Sequence, residues 1–350
     1  MIRIAVVGPM VGRNQGCVTT QGEIFSDLLS GEGYPVISVS SSPNRYMRFA
    51  DIIKTLICQK GQIDLQCLQV YSGPSFIIAD IASKLGKILG HPVVMVLHGG
   101  GLPKFMARYP HWACRVLRRA DALIAPSAFL AHALTPYNFQ VQVIPNVINI
   151  SLYPYRHRQV IQPRLFWMRS FHPIYNPLMA IRVLAKVKEK IPEACLVMGG
   201  QDKGLEVDAK RLAKKTGVEV SVRFPGFLDM SAKVREGNSA DIFLNTNHVD
   251  NMPVAAVEAC AMGLPVVATA VGGVPALLTH EETGLLVPDN DDESMVSAVL
   301  RLLNDSNLTG KLSANGRLLA TRSSWEAVFP QWNQVFADVM DRRKNVNAMG

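Results

Sequence analysis

Short apolar runs alternate with helix-length segments along nearly the whole chain, and this alternation constrains the fold more than any other feature. The segments between the runs, of which NPLMAIRVLAKVKEK is one, carry apolar residues at helical spacing. Strands that are apolar on both faces and separated by helices form parallel sheets covered on both sides. The sequence therefore predicts an α/β fold. Its candidate strands are residues 2–8, 34–40, 92–98, 121–127, 141–146, 164–169, 194–200, 220–226, 241–246 and 264–270.

The two halves of the chain repeat one pattern. ADALIAPS begins at residue 120 and ADIFLNTN begins at residue 240, and each has a helix end, a buried strand and a polar exit. Because 350 residues are too many for one modest core, two doubly wound, Rossmann-like domains facing a cleft are expected. The expected parts are 1–155 for the first domain, 160–322 for the second, a joint at 148–163, and 323–350 for a C-terminal helix and tail crossing back to the first domain.

The composition is that of a globular protein, with 48% hydrophobic and 18% charged residues. The start, MIRIAVVG, lacks the long apolar stretch of a signal peptide, and no run of about 18 uncharged apolar residues follows. The six cysteines are scattered without a CxxC pair, which is typical of reduced thiols and offers no metal-ligand spacing. We therefore expect a cytoplasmic protein without a bound metal.

The net charge of +8 belongs to the first half of the chain. Residues 1–160 hold 15 Lys/Arg against 7 Asp/Glu, whereas residues 161–350 hold 21 of each. The basic stretch 104–121 also carries aromatic residues, a combination typical of contact with an anionic membrane surface or a phosphate-bearing partner. A solvated helix face explains the same stretch equally well. Nucleic acid is not expected, because the sequence has no recognition motif for it.

Several chemistries lack their motifs. There is neither a GxGxxG fingerprint nor a P-loop, and the second candidate strand ends without the acidic residue that would hold the ribose of NAD. The stretch His98-Gly99-Gly100-Gly101 matches the oxyanion-hole HGGG of some esterases, but no GxSxG nucleophile elbow accompanies it. A serine hydrolase would therefore lack its nucleophile.

The stretch DNMPVAAVEACAMGLP (250–265) predicts a ligand site at a helix start. Asp250 or Asn251 can cap a helix, Pro253 fits its first turn, and the helix would end near Met262. The free amides and the positive dipole end of such a helix attract phosphate.

Glu258 lies two turns into this helix among small residues that would let the backbone approach a ligand. A carboxylate buried there needs hydrogen-bond donors, and the vicinal diol of a ribose supplies two. The alternative is a surface glutamate on an alanine-rich helix. The flanking small residues are Ala255, Ala256, Ala259 and Ala261.

The stretch DNMPVAAVEACAMGLPVVATAVGGVPAL (250–277) resembles the signature of the retaining GT-B-fold glycosyltransferases of family 4, the group 1 transferases. Their pattern is an acidic residue, seven residues, Glu, a GLPVVA strand and a GGxP turn. The resemblance extends over nearly the whole chain, through 282–288, 169–180, 120–130, 144–149 and an N-terminal glycine loop ending at Gly16. It implies metal-independent transfer, without a cofactor, from a UDP- or GDP-linked sugar to a glycan or lipid-linked acceptor, as in polysaccharide or glycolipid biosynthesis. The cytoplasmic enzyme would contact the inner face of the membrane peripherally.

The resemblance also assigns roles, with an acceptor-side first domain and a nucleotide-sugar-binding second domain. Glu258 would bind the ribose, Asp250 would meet hydroxyls of the donor sugar, and Arg169 would face the leaving diphosphate. His98 would line the acceptor side near the anomeric carbon, so that His98, Arg169 and Asp250 form the expected catalytic set. The other expected donor contacts are Gly16, Phe227, Leu228, Asn251, Met252, Pro253, Val254 and Ala255.

Three positions depart from the family pattern. Asp250 stands where Glu is more frequent, and Ala276 stands where many relatives have Glu. Ile174 stands where a lysine is common, which leaves Lys203 and Arg13 as candidates for a second cation by location. Two alternatives therefore stay open: another enzyme on this architecture, such as a nucleotide-sugar epimerase or a phosphorylase, and a non-catalytic nucleotide-binding protein.

Overall fold

The computed structural model describes residues 1–12, 14 and 16–349, with side chains through 345, and divides into two compact units. The first unit contains residues 1–147 and the C-terminal segment from 325 onward, and the second contains residues 148–324.

The first unit is built on a parallel sheet with helices on both faces. Among the described residues its strand order is β2-β1-β3-β4-β5-β6. Apolar side chains on the two faces of the sheet form two separate cores. The strands are β1 (Ile4–Val7), β2 (Val36–Val39), β3 (Leu65–Val70), β4 (Val93–Leu97), β5 (Ala122–Ala125) and β6 (Gln142–Val143). The helices are α1 (Gln21–Gly31), α2 (Arg45–Cys58), α3 (Phe76–Ile88), α4 (Leu102–Arg108), α5 (Pro110–Leu117) and α6 (Ala128–Leu134).

The second unit repeats this architecture. Its described strands are also parallel, in the doubly wound order β12-β11-β10-β7-β8-β9. The expectation of two doubly wound α/β domains is confirmed. The strands are β7 (Arg164–Met168), β8 (Cys195–Gly199), β9 (Val222–Gly226), β10 (Ile242–Asn245), β11 (Val266–Thr269) and β12 (Leu285–Val287). The helices are α7 (Pro177–Lys190), α8 (Glu206–Lys215), α9 (Met230–Ser239), α10 (Val254–Ala261), α11 (Val274–Leu277), α12 (Asp292–Asn304) and α13 (Ser306–Thr321).

Two strands were not predicted from the sequence. β3 lies between β1 and β4 near the middle of its sheet, yet its sequence LQCLQV carries Gln66 and Gln69, which are both buried. These amides interrupt the apolar run and find partners in His91 and His98. The other missed strand, β12, has three residues, too few for a pattern to emerge.

The segment 148–163, expected to be a joint, belongs to the second unit. The side chain of Arg158 is fully buried there and donates to the backbone carbonyl oxygens of Gly237 at 2.8 Å and Ala240 at 3.0 Å. Burial is the main cause that lowers the pKa of Arg158 to about 9. Asp241, also fully buried, accepts from Arg156 at 2.8 Å. The arginines of this segment therefore attach it to the second unit.

The basic stretch 104–121 contributes to the core more than its composition suggests. The rings of Phe105 and Trp112 pack on Phe76 with centroids 4.8 and 5.1 Å away. Asp80 accepts from Trp112 Nε1 at 2.7 Å and pairs with Arg119 at 2.6 Å. Those two rings therefore pack α4 and α5 against α3.

The C-terminal helix α14 (Trp325–Met349) belongs to the first unit and packs on its core. Trp332 lies on Phe25 with ring centroids 4.5 Å apart, and Phe336 packs beside it. The indole Nε1 of Trp325 donates to Glu32 at 2.9 Å. The aromatic stripe of this helix is therefore core packing.

Replacing Trp332 with alanine should destabilise the first unit. Removing a buried aromatic ring costs about 3–5 kcal/mol through lost contacts and the cavity left behind. Urea denaturation followed by circular dichroism measures the loss. The exposed Gln334 on the same helix supplies the control Gln334→Ala, which should stay within about 0.5 kcal/mol of the native protein. A cost for Trp332→Ala equal to that of the control would contradict the packing role.

Candidate active site

Two neighbouring strands of the second unit deliver the main candidate residues to one edge of the sheet. Arg169 directly follows β7, and Asp250 lies in the loop after β10, which pairs with β7. Their side chains form an ion pair and are mostly buried, at 16% and 12% exposed. The structure thus joins two residues that lie 81 positions apart in the chain.

The carboxylate of Asp250 is held at both oxygens. Oδ2 accepts from Arg169 and from Asn247 Nδ2 at 2.7 Å, and Oδ1 accepts the amide of Asn251 at 2.8 Å. Charge-assisted hydrogen bonds of this kind fix a carboxylate strongly. Asp250 therefore orients the guanidinium of Arg169 and the backbone that leads into α10.

Tyr175 supports Arg169 from the other side. The guanidinium carbon of Arg169 lies 4.3 Å from the centroid of the Tyr175 ring, a cation–π contact. The Nε of Arg169 is buried and has no partner among the described residues. Ile174, where relatives have a lysine, is partly exposed and supplies no charge.

The start of α10 differs from the sequence prediction. The helix begins at Val254 with Pro253 as its N-cap, and no side chain caps it, so the expected capping by Asp250 or Asn251 is wrong. Asp250 instead uses its carboxylate on Arg169 and Asn247. The amides of Val254 and Ala255 have no acceptor within the described part of the chain. They are the free helix-start donors that an anion would bind.

The GGVP turn fixes the loop that leads to α10. The amide of Gly273 donates to the carbonyl oxygen of Asp250 at 2.9 Å. A Cβ on Gly272 would lie 2.1 Å from that oxygen, and one on Gly273 would lie 1.8 Å from the carbonyl oxygen of Asn251. Gly272 also has a φ of +53°, which favours glycine. The two loops can approach this closely because both positions are glycine.

Glu258 is buried and bound, so the alternative of a surface glutamate is wrong. Its Oε1 accepts from the hydroxyl of Tyr153 and from Lys233 Nζ, both at 2.7 Å. The side chain is 8% exposed. Burial and the Glu258 carboxylate raise the pKa of Tyr153 well above its usual range, which keeps the hydroxyl a donor.

The residues around Glu258 on α10 are small and buried, and the helix packs on α13. Ala256, Ala259 and Ala261 are fully buried, and α10 packs closely on α13. A Cβ on Gly316 of α13 would lie 3.3 Å from Cys260 Sγ. Cys260 of α10 therefore packs directly on a glycine of α13, and the approach of a ligand beside the alanines stays a prediction.

Leu228 and Phe227 divide between core and surface. Leu228 is buried in a cluster with Met168 and Met252, whereas the Phe227 ring is 37% exposed. Of the two candidate second cations, Lys203 lies exposed in the loop after β8, and Arg13 falls outside the described residues.

His98 lies in the first unit at the carboxyl end of β4 and is buried. Its Nε2 donates to Gln69 Oε1 at 2.7 Å, which leaves Nδ1 as an acceptor, and its ring stacks on Tyr71 at 4.8 Å. Gln69 is itself confined, because a Cβ on Gly8 would lie 2.7 Å from its Cβ. Burial lowers the pKa of His98 to about 4, so the imidazole is neutral near pH 7.

The N-terminal glycine loop is tied to the start of α1. The amide of Gly12 donates to Glu23 Oε1 at 2.7 Å, and Glu23 also closes a capping box with Thr20. Gly16 has a φ of +74° and open space where a Cβ would stand. Its backbone is therefore accessible, and a side chain there would be strained.

Tyr153, Tyr175, Lys233 and Asn247 were not predicted as site residues. Each contacts a predicted residue, but from a position 3 to 105 residues away in the chain. A buried carboxylate requires donors, which predicts that partners exist without saying which they are. Only Asn247 could have been found from the sequence, because it is a polar residue at the end of the predicted strand in ADIFLNTN.

Sequence comparison covers most of the chain with two family models. Residues 161–319 match the model described as glycosyl transferases group 1, and residues 25–152 match glycosyltransferase family 4. The chain is 26% identical to the amylovoran biosynthesis glycosyltransferase AmsK of Erwinia amylovora over 72% of its own length and 64% of that relative's. It is 31% identical to a D-inositol 3-phosphate glycosyltransferase of Corynebacterium aurimucosum, over 47% of its own length and 40% of that relative's. The chain thus spans less than two thirds of the length of these relatives.

Solved structures show the same fold over nearly the whole chain. Sucrose-phosphate synthase from Thermosynechococcus elongatus matches with a TM-score of 0.79 at 18% identity, covering 98% of this chain and all of that one. HepE from Anabaena, solved with UDP-glucose, matches with a TM-score of 0.76 at 18% identity, covering 97% of this chain and all of that one. The fold is the two-domain GT-B architecture. By sequence and fold together, the chain belongs to the group 1 glycosyltransferases.

The described residues contain no group of three or more His, Cys, Asp or Glu side chains placed to hold a metal ion. None of the helices in the same part of the chain combines the length and the apolar character needed to cross a membrane.

The buried His98 should make stability fall on acidification. Its folded pKa of about 4 lies below its ordinary value of 6.5, so the unfolded chain binds a proton that the folded chain does not. Between pH 6.5 and 4 this group should cost about 2–3 kcal/mol of folding free energy. Urea denaturation at several pH values measures how the free energy of unfolding depends on pH. This dependence should be shallower for His98→Gln than for the native protein, and it should be native for the exposed His132→Gln. Equal slopes for native protein and His98→Gln would contradict the assignment.

Proposed function

We propose that this chain is a retaining, metal-independent glycosyltransferase that moves a sugar from a UDP- or GDP-linked donor to a glycan or lipid-linked acceptor. The observation that carries the proposal is the meeting of Arg169, the free amides at the start of α10 and the buried Glu258 in one unit. Arg169 and the helix amides match the diphosphate that leaves from the sugar, and Glu258 matches the ribose. HepE, which shares the fold, was solved with UDP-glucose.

The chemistry proposed for Arg169 follows from where charge develops. Cleavage of the glycosyl–phosphate bond builds negative charge on the leaving diphosphate, and a guanidinium already held in place stabilises it without reorganising. Asp250 and Tyr175 provide that support on two sides. Together with the amides of Val254 and Ala255, Arg169 would take the part that a metal ion plays in other transferases.

The state of Asp250 favours retention without an attacking carboxylate. A carboxylate that accepts three hydrogen bonds, one from a paired guanidinium, is a weak nucleophile. We therefore assign Asp250 to orienting Arg169 and meeting donor-sugar hydroxyls, with the leaving phosphate acting as the base. On the acceptor side we assign a contact to the neutral His98, whose Nδ1 can accept a hydrogen bond from a hydroxyl.

Nucleotide binding is the first expected outcome. One nucleoside diphosphate among UDP, GDP, ADP and CDP should raise the melting temperature of the native protein, because a ligand of the folded state stabilises it by mass action. Glu258→Gln should reduce the shift, whereas Glu293→Gln, on an exposed residue of α12, should leave it unchanged. A native protein that responds to none of the four would contradict the proposal.

Transfer is tested with the sugar nucleotide of the base so identified. Without acceptor, the enzyme should release the nucleoside diphosphate slowly. With acceptor, the transferred sugar should keep its anomeric configuration. EDTA should leave the rate of both reactions unchanged. Arg169→Met should lower the rate by 10²–10³-fold, the usual cost of one charge-stabilising donor. Conversion of the donor sugar without release of diphosphate would indicate an epimerase, and binding without turnover would indicate a non-catalytic protein.

The first unit offers a surface for peripheral membrane contact on the cytoplasmic side, as a lipid-linked acceptor would need. On α2, Tyr46 and Met47 are 70% and 65% exposed and lie between Arg45 and Arg48. Neither arginine has a carboxylate partner within the described residues. Exposed apolar side chains flanked by unpaired cations are typical of binding to anionic lipid.

Vesicle co-sedimentation checks this contact. Native protein should partition onto vesicles of one part phosphatidylglycerol to three parts phosphatidylcholine more than onto pure phosphatidylcholine. Tyr46→Ser combined with Met47→Ser should lower partitioning about tenfold, because two apolar side chains no longer enter the interface. Val220→Ser, at an exposed site of the second unit, is the matched control. Equal binding of native protein to both vesicle types would show that attraction to anionic lipid makes no contribution to the membrane contact.

A further inference from the structure

The carboxylate of Glu258 presents one oxygen to a ligand and not two. Oε1 accepts two hydrogen bonds, from the Tyr153 hydroxyl and from Lys233 Nζ, each at 2.7 Å. Two donors at this distance occupy both of its lone pairs. No donor among the described residues reaches Oε2. A vicinal diol therefore cannot be held by this carboxylate at both oxygens without displacing Tyr153 or Lys233.

Lys233 has hydrogen-bond donors that Glu258 does not use. An ammonium group carries three donors, and one of them is used on Glu258. Within the described part of the chain, no other side-chain partner of Lys233 is present. Its side chain is 19% exposed, more than the 8% of Glu258, so it lies on the outer side of the pair. The pair thus presents an acceptor and a donor side by side.

Tyr153 fixes the arrangement from the segment that enters the second unit. Its ring is 3% exposed, and its own carbonyl oxygen accepts from Arg317 Nη1 at 3.1 Å. The same guanidinium donates to the carbonyl oxygen of Ala261 at 2.6 Å, at the end of α10. Both Tyr153 and the helix that carries Glu258 are therefore tied to the guanidinium of Arg317.

We infer that Lys233 and Glu258 together bind the cis-diol of the donor's ribose, with Tyr153 as a positioning residue. One hydroxyl donates to Glu258 Oε2, and the oxygen of the adjacent hydroxyl accepts from Lys233 Nζ. The inference rests on the proposed function, since it assigns a further contact in the same donor site. It makes Lys233 a determinant of ribose recognition, and not only a counter-ion.

A counter-ion and a ribose ligand predict different binding patterns. A lysine that only neutralises Glu258 affects every nucleotide equally, whether or not its sugar has both hydroxyls. A lysine that binds one hydroxyl loses its effect when that hydroxyl is missing. Deoxynucleotides therefore separate the two roles, which loss of affinity alone would not.

The experiment measures Kd by calorimetry for UDP, 2′-deoxy-UDP and 3′-deoxy-UDP, with the GDP set in parallel. Native protein should prefer the ribonucleotide about tenfold or more over each deoxy form, since a hydrogen bond to a charged group is lost. Lys233→Met should abolish the preference over one deoxy form and keep it over the other. Glu258→Gln should weaken the preference for the ribonucleotide over the other deoxy form, against which Lys233→Met keeps its native preference. Tyr153→Phe should weaken both preferences partially.

Two further variants keep the result interpretable. Lys186→Met removes a lysine paired with Glu293 on the surface and should leave all preferences native. If Lys233→Met unfolds because Glu258 stays charged, the double variant Lys233→Met/Glu258→Gln removes both charges and should lose the preference over one deoxy form while keeping a weakened preference over the other. A native preference in Lys233→Met, or in the double variant, overturns the inference while nucleotide binding stands. Absence of any nucleotide binding by native protein overturns the proposed function as well.

Discussion

Parallel strand direction is the constraint on which both units depend. In a parallel sheet all carboxyl ends of the strands meet at one edge, so residues that follow different strands become neighbours there. The pairing of β10 with β7 brings the Asp250 loop beside Arg169, and the helix after that loop begins at the same edge. A guanidinium, a carboxylate and free helix amides thus converge without being close in sequence.

Burial of carboxylates supplies the second level of organisation. A buried carboxylate is costly unless donors surround it, and those donors determine which segments are held together. Asp250 accepts hydrogen bonds from Arg169 and Asn247, and Glu258 accepts them from Tyr153 and Lys233. Asp241 pairs with both arginines of the segment 148–163. The packing around the proposed donor site is therefore largely a consequence of satisfying these charges.

Prediction from the sequence succeeded where the pattern was local and failed where partners were distant. Apolar runs located most strands, but the two glutamines of β3 concealed a central strand, and their side chains hydrogen-bond to histidines elsewhere in the chain. Pro253 was assigned one position too far into its helix, because Asp250 uses its carboxylate on Arg169 and leaves the helix uncapped. The alanines beside Glu258 were expected to let the backbone approach a ligand; three of them are fully buried, and their helix packs on α13.

The sequence by itself determined the two doubly wound units, the helix that carries Glu258 and the resemblance to group 1 glycosyltransferases, because spacing and residue type are local properties. The tertiary structure decided which oxygen of Glu258 is open, which groups hold Arg169, and where the segment 148–163 belongs. Those outcomes depend on contacts such as Tyr153 with Glu258, formed across 105 residues of chain. The sequence requires that a buried charge have partners, but the fold chooses them, since only packing brings distant donors within hydrogen-bond distance.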